Sequence, residues 1–320
     1  MAESKHPMRS TVCINDLQQT SGEGLHKISA HISWEGKVGE LEFAWQGESC
    51  PNPADALLVL MSSITIPLNI RLSIDVTPSL VGTRLIDYYR RSYSQTSSPP
   101  DRALTSTGIR MPGIKPSGEG LLFDGGIDAF HALKQYQDDI STLVFVNGLY
   151  GDEDQRQNSQ HALRSKLQRI QYQAVELDKA LLVLDTNLHD LLLTLGISDT
   201  LLAETFYAGL GHILNGNIST LRIPGSKKFQ KYEQEEGFEP KLVVHDTGQL
   251  TLSEKQARMA SDRYLMDALR VCWENPRRSY NCGRCKRCTR RIPARRLLES
   301  LRRREAKLLD ARRIQITESP

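Results

Sequence analysis

Residues 121–130 read LLFDGGIDAF, and the fold class follows from how this stretch is divided. Leu121, Leu122 and Phe123 form a short apolar run that suits a strand buried on both faces. Gly125 and Gly126 turn the chain, and the following FHALKQYQ reads as a helix. Strand, glycine turn and helix together make a place where phosphate is held. Glycine lets backbone N–H groups approach an anion closely, and the free N–H groups and positive dipole end of the following helix favour negative charge. A plain tight turn satisfies the same pattern. Asp124 also puts a carboxylate where a phosphate cradle favours a hydroxyl or a bare amide.

Downstream, strands and helices alternate. The run 141–148 (STLVFVNG) reads as a second buried strand, followed by an acidic loop at 152–154, a helix over 161–170 and a third strand at 173–177. The apolar stretch 180–184, closed by Asp185, Thr186 and Asn187, is a further strand end or a helix cap. A helix follows over 205–214, then a strand end and basic loop over 222–228, a strand over 242–245, and a helix over 253–269 with Ser253 as its N-cap. Such alternation predicts an α/β domain with a mainly parallel sheet covered on both faces. Ligands in open α/β sheets bind beyond the carboxyl ends of the strands, so Asp124, Asn147 and Asn187 are eligible to meet there. Each is equally suited to a turn or cap. The basic loop beginning at Arg222 is a candidate for phosphate or an acidic substrate, whereas His212 fits best as a packed helix residue.

Upstream, residues 1–25 carry little periodicity and read as a loose arm or an edge strand. Residues 27–45 alternate around a Glu-Gly turn as a β-hairpin, with His31 an ordinary strand histidine. Asn52 and Pro53 open a helix through residues 56–63, a strand follows over 68–74, and Pro78-Ser79 begin a helix over 80–89. This small α+β unit carries no recognisable chemical constellation. Two polar, proline-bearing stretches, 94–101 and 112–120, separate it from the glycine turn. The expected division is an N-terminal accessory domain (1–113), an α/β domain (114–292) and a basic C-terminal helix and tail (293–320).

Composition bounds the class. Among 320 residues, 39% are hydrophobic and 25% charged, as in an ordinary soluble protein, and a net charge of +3 does not by itself mark a nucleic-acid binder. No run has the length needed to span a bilayer and the polar start lacks the apolar core of a signal peptide, so a cytoplasmic protein without membrane contact is expected. Four of the six cysteines gather near the C-terminus. Cys272 is followed by nine residues and then Cys282, Cys285 and Cys288 in two successive C-x-x-C steps. In a reducing compartment such spacing suits metal rather than disulfides, and four thiolates complete a tetrahedron around Zn²⁺ with no open position, which makes the site structural.

The glycine turn, followed far downstream by VCWENPRRSYNCGRCKRC, resembles the PP-loop ATPase superfamily, and within it the 7-cyano-7-deazaguanine synthase group. The resemblance covers roughly residues 117–292. It implies an ATP-binding parallel-sheet domain of the PP-loop (HUP-like) type ending in the zinc knuckle, here preceded by an added smaller α+β domain. It further implies ATP- and Mg²⁺-dependent activation of a carboxylate or similar oxygen, followed by attack of a nitrogen nucleophile, on a small molecule or a partner protein. Against the family's SGGxDS loop, Gly125, Gly126 and Asp128 match, while Asp124 and Ala129 stand where the family has serine. The catalytic residues implied are Asp128 and Asp124, and the nucleotide-binding ones are Gly125, Gly126, Asn147 and Asn187. Two outcomes are open: Asp124 binds Mg²⁺ and bridges to phosphate, or the site has decayed and the chain serves as a binding or scaffold subunit of a complex.

Beyond the cysteines, arginine pairs at 290–291, 295–296 and 312–313 and the triplet at 302–304 are interleaved with leucines at helical spacing. The segment reads as a basic amphipathic helix. Its arginine face is solvated, docked on an acidic partner, or in contact with nucleic acid.

Overall fold

The computed structural model describes residues 10–94, 118–149, 159–197, 204–224, 241–245, 250–259 and 262–269. The chain begins with three antiparallel strands, β1 (Thr11–Gly22), β2 (Leu25–Trp34) and β3 (Lys37–Gln46). Each connection is two residues long with both φ values positive, at Glu23-Gly24 and Glu35-Gly36, the geometry that matches the twist of paired strands. Helix α1 (Pro53–Thr65) follows, its N-terminus capped by the Asn52 side chain, which accepts from the Asp55 N–H at 3.2 Å. Strand β4 (Arg71–Ile74) then returns parallel to β1, and α2 (Leu80–Ser94) closes the unit. Residues 11–22 are therefore no loose arm, and β1 is not an edge over Thr11–Ile14, where β4 pairs with it; beyond Ile14 no described strand pairs with its outer side.

The second half contains β5 (Glu119–Leu122), α3 (Ile127–Gln135), β6 (Ile140–Asn147), α4 (Ser159–Glu176), β7 (Ala180–Thr186), α5 (Leu188–Leu195), α6 (Glu204–Ile213), β8 (Thr220–Pro224), β9 (Lys241–His245), α7 (Leu252–Met259) and α8 (Arg263–Ala268). All the described strands join one nine-stranded sheet in the order β4-β1-β2-β3-β7-β6-β5-β8-β9. The pairs from β7 to β9 are all parallel, as alternation of strand and helix requires. Strand β3 joins this region antiparallel to β7, with Phe43 opposite Thr186 and Trp45 opposite Leu184. The sheet thus runs on across the sequence boundary near residue 113.

Apolar residues cover both faces. One cluster extends from Val12, Ile32 and Phe43 through α1, α5 and α6 to Val144, Leu184 and Ile223. The other gathers Leu121, Phe123, Phe130, Leu143 and Phe145 with residues of α4, α7 and α8. Neighbouring residues of β5 and β6 thus enter opposite cores, which is why those strands read as continuous apolar runs. Helix α1 is buried at every position from Ala54 to Thr65 and packs closely on α6, where Gly209 brings the backbones together: a Cβ there would stand 2.6 Å from Leu60 Cα.

Two expected elements differ. Residues 173–177 form the end of α4 and its terminal turn, in place of a strand; Gln173 and Ala174 are buried while Val175 and Glu176 are exposed, and Leu177 N–H bonds Gln173 O at 3.0 Å. The short apolar-polar pattern fits both periods, and tertiary packing chose the helix. The single helix over 253–269 is two helices. Thr251 and Glu254 form a reciprocal capping box for α7, so Thr251 is the cap in place of Ser253. Asp262 starts α8 by accepting from Leu265 N–H at 3.1 Å. Among the described residues no helix is long and apolar enough to cross a membrane.

One buried carboxylate ties the first two helices. Asp55 in the first turn of α1 accepts from the Ser79 N–H at 2.7 Å and from the Ser79 hydroxyl, at the start of α2. Burial raises its pKa, against the lowering effect of the Ser79 bonds. The folded chain therefore holds this proton more readily than the unfolded chain. Its contribution is full below the unfolded pKa and is lost as pH rises through the folded value. Asp55→Ala removes the acceptor of both Ser79 bonds and is expected to cost roughly 1–3 kcal/mol in urea unfolding at pH 7. Asp55→Asn keeps an acceptor without the charge and should cost less. Equal losses in the two variants would show that the contact has no such role.

Candidate functional site

From β5 the chain moves to β6 and β7 on one side of the sheet, and β8 and β9 lie on the other. The order therefore reverses between β5 and β8, and in doubly wound sheets the crevice at that switch point is where ligands bind. The glycine turn lies here, at the carboxyl end of β5. Gly125 has φ of +76°, in the left-handed region that favours glycine, and Gly126 is the N-cap of α3 with no side chain to accept from its first amides. The turn thus leads directly into the N-terminus of α3, the positive end of the helix, at this switch point.

Three charged groups surround that terminus. Asp124 folds back so that Oδ1 accepts from Gly126 N–H at 2.7 Å, inside the turn itself. Asp128, in the first turn of α3, is half exposed and accepts from Lys255 Nζ, a side chain only 6% exposed. Lys255 comes from the first turn of α7, placed there by the Thr251 capping box. That box was the signal in the sequence from which its position was readable. One turn further along α3, His131 is buried, and Nδ1 has no partner among the described residues. Burial first, and then the Lys255 and Arg258 cations, lower its pKa, with Asp128 acting in the other direction. Its ring is therefore neutral at pH 7. Ala129, where the PP-loop pattern has serine, is buried in the apolar cluster under the helix.

A second group of polar residues lies at the ends of β6 and β7. Asn147 and Asp185 are register partners, and Asn147 Nδ2 donates to Asp185 Oδ1 at 2.6 Å. The strand ends are held closely: Gly148, with φ of +86°, lies so near β7 that a Cβ would stand 1.8 Å from Thr186 O. Asn187 belongs to a different task. Its Oδ1 accepts from Glu42 N–H at 2.8 Å and its Nδ2 donates to Glu40 O at 2.8 Å, clamping the start of α5 to β3. Asp124, Gly125, Gly126, Asp128 and Asn147 thus gather around the ends of β5 and β6, while the Asn187 amide is engaged across the β3–β7 seam.

Arg222 is not a ligand-facing residue. It is buried, ion-paired with Glu119 and, at 3.4 Å, with Asp139, and it covers the Tyr136 ring at 4.5 Å. These partners lie at the start of β5 and between α3 and β6, the opposite end of the strands from the glycine turn. The remainder of the basic loop, residues 225–228, lies outside the described residues. His212 is packed on α6 as expected, and His31 makes an exposed 3.1 Å pair with Asp16.

No protein-family model, curated protein or solved structure matches this chain. What the site can do therefore has to be argued from its own residues. Among the described residues no group of three metal-ligating side chains converges. Cys272, Cys282, Cys285 and Cys288 lie outside the described residues, as does the basic segment that follows them.

Proposed function

We propose that the chain is a nucleotide-binding protein of the PP-loop type that uses ATP to activate a carboxylate or similar oxygen for attack by a nitrogen nucleophile. The observation that supports this best is the position of the Gly125-Gly126 turn, which opens α3 at the switch point of the parallel strands. In such a reaction a substrate oxygen attacks the α-phosphorus, pyrophosphate departs, and the nitrogen nucleophile then displaces AMP with loss of a proton. The loop amides and the helix terminus would stabilise the charge that gathers on the departing pyrophosphate. Lys255 would hold Asp128 in place beside them. Asp128 and Asp124 would be the oxygen donors for Mg²⁺, a hard cation that would link the loop to the phosphates.

A non-catalytic role is favoured by one observation. Asp124 already occupies the Gly126 N–H and adds a negative charge at the place where phosphate would sit. Calorimetric titration with ATP, with and without Mg²⁺, separates the two. Binding that requires Mg²⁺ supports an active site adapted around Asp124. Absence of binding at millimolar nucleotide supports a scaffold subunit. Restoration of binding by Asp124→Ser with Ala129→Ser would identify a site that has lost its function.

We also propose that the four C-terminal cysteines hold a structural Zn²⁺, on the chemistry of the donor set: four thiolates fill the tetrahedral preference of zinc. Metal analysis of the purified protein is expected to find one zinc per chain, and Cys285→Ser to lower that content. A variant that keeps its full zinc content would exclude Cys285 as a ligand.

A further inference from the structure

We propose that Asn147 and Asp185 form a ribose-binding pair, taking the 2′- and 3′-hydroxyls of a nucleotide whose phosphates lie at the glycine turn. The assignment rests on the nucleotide-binding role proposed above and adds to it the part of the ligand that these two residues contact. Three observations carry it.

The first is the orientation of the Asn147 amide. Because Nδ2 donates to Asp185 Oδ1 at 2.6 Å, the amide has one sensible orientation, with Oδ1 directed elsewhere as an acceptor. That oxygen is buried and has no hydrogen-bond partner among the described residues. Buried acceptors left without a donor are uncommon, and a ligand donor removes the deficit. The second is the character of the neighbour. Asp185 is exposed, so an accessible carboxylate lies directly beside the covered amide oxygen, which a ligand would reach from the carboxylate side. Adjacent acceptors of this kind match a group with two adjacent donors, such as a cis-diol.

The third is placement. Asn147 ends the strand next to the one that carries the glycine turn, about twenty residues beyond Gly126. In doubly wound dinucleotide-binding folds a carboxylate at about that distance from the glycines accepts from a ribose hydroxyl; here Asn147 stands at that place and brings the Asp185 carboxylate beside it. Phosphate at the end of β5 and ribose over the ends of β6 and β7 lie along one line of the sheet. The Gly148 approach to Thr186 and the Asn187 clamp on β3 keep both strand ends fixed, so the pair is set before a ligand arrives.

The test uses the full-length, zinc-loaded protein and three probes in calorimetry: ATP, 2′,3′-dideoxy-ATP and inorganic tripolyphosphate. The dideoxy nucleotide is expected to bind roughly ten- to a hundredfold more weakly than ATP, the effect of losing two hydrogen bonds to polar partners. Asp185→Asn keeps an acceptor for the Asn147 amide but removes the charge. It should weaken ATP binding roughly tenfold while leaving the dideoxy nucleotide and tripolyphosphate unchanged. Equal affinity of the unaltered protein for ATP and its dideoxy analogue would overturn the ribose assignment and leave nucleotide binding intact, and this comparison does not depend on any variant folding. A loss in Asp185→Asn that is the same for all three probes would also overturn it. Failure of ATP and tripolyphosphate alike to bind would overturn the nucleotide-binding role itself, and the ribose assignment with it.

Discussion

Gly148→Ala is expected to destabilise the protein by about 3 kcal/mol or more. Two costs act together. The backbone at Gly148 has φ of +86°, a conformation that an L-side chain enters at a cost of roughly 1–2 kcal/mol. The added Cβ would then overlap Thr186 O, at 1.8 Å, and a backbone carbonyl in a strand cannot swing aside as a flexible side chain would. Relief requires the ends of β6 and β7 to separate, which also disturbs the Asn147–Asp185 pair. Gly209→Ala makes a useful contrast. In α6 the substitution gains about 1 kcal/mol of helix propensity, which offsets part of its clash with Leu60. Equilibrium urea unfolding of both variants checks the order. A Gly148→Ala protein as stable as the parent would mean that the two strand ends do not approach as closely as described.

Acid is expected to weaken the fold through His212. The imidazole is buried between α6 and its neighbours, Nε2 has no partner among the described residues, and burial lowers its pKa to about 4. In the unfolded chain the same group titrates near 6.5. Above that value both states are neutral and the contribution is fully present. As pH falls below it the unfolded chain takes up a proton that the folded chain refuses, so stability is lost progressively until pH reaches the folded value. The span amounts to about 3 kcal/mol at most. His131, whose pKa is also lowered, adds to the same trend. Denaturant unfolding at pH 7 and pH 4.5 of the parent and of His212→Leu isolates the term, because carboxylate titration is common to both proteins. The variant should lose distinctly less stability across this interval. Parallel losses would show that His212 titrates normally in the folded state.

Much of the parallel half was legible because β5 and β6 are buried on both faces and show this as uninterrupted apolar runs bounded by glycine. The hairpin of β2 and β3 was legible for the opposite reason, a strict alternation around a Glu-Gly turn. Residues 173–177 were misread because five residues of mixed polarity satisfy a strand and the last turn of a helix equally well. The pairing of Thr11–Ile14 with β4 could not be read at all: whether a strand is an edge depends on what pairs beside it, here a segment some sixty residues later in the chain. At the site, the glycine turn and Asn147 were visible as strand-end residues. The commitment of Arg222 to Glu119 and Asp139, and that of Asn187 to β3, depend on tertiary partners that no local pattern records.

The seam between β3 and β7 has a consequence for how the chain is made. Phe43 and Trp45 find their partners Thr186 and Leu184 about 140 residues later, so this pairing closes a long loop and is slow to form. During synthesis the first three strands emerge well before β7 exists. Until then β3 presents a bare edge carrying Leu41, Phe43 and Trp45, a template for pairing with other chains. The nascent protein is thus most exposed to aggregation while the ribosome is traversing residues 47–180, and a chaperone that shields the β3 edge in that interval would raise the yield of folded protein.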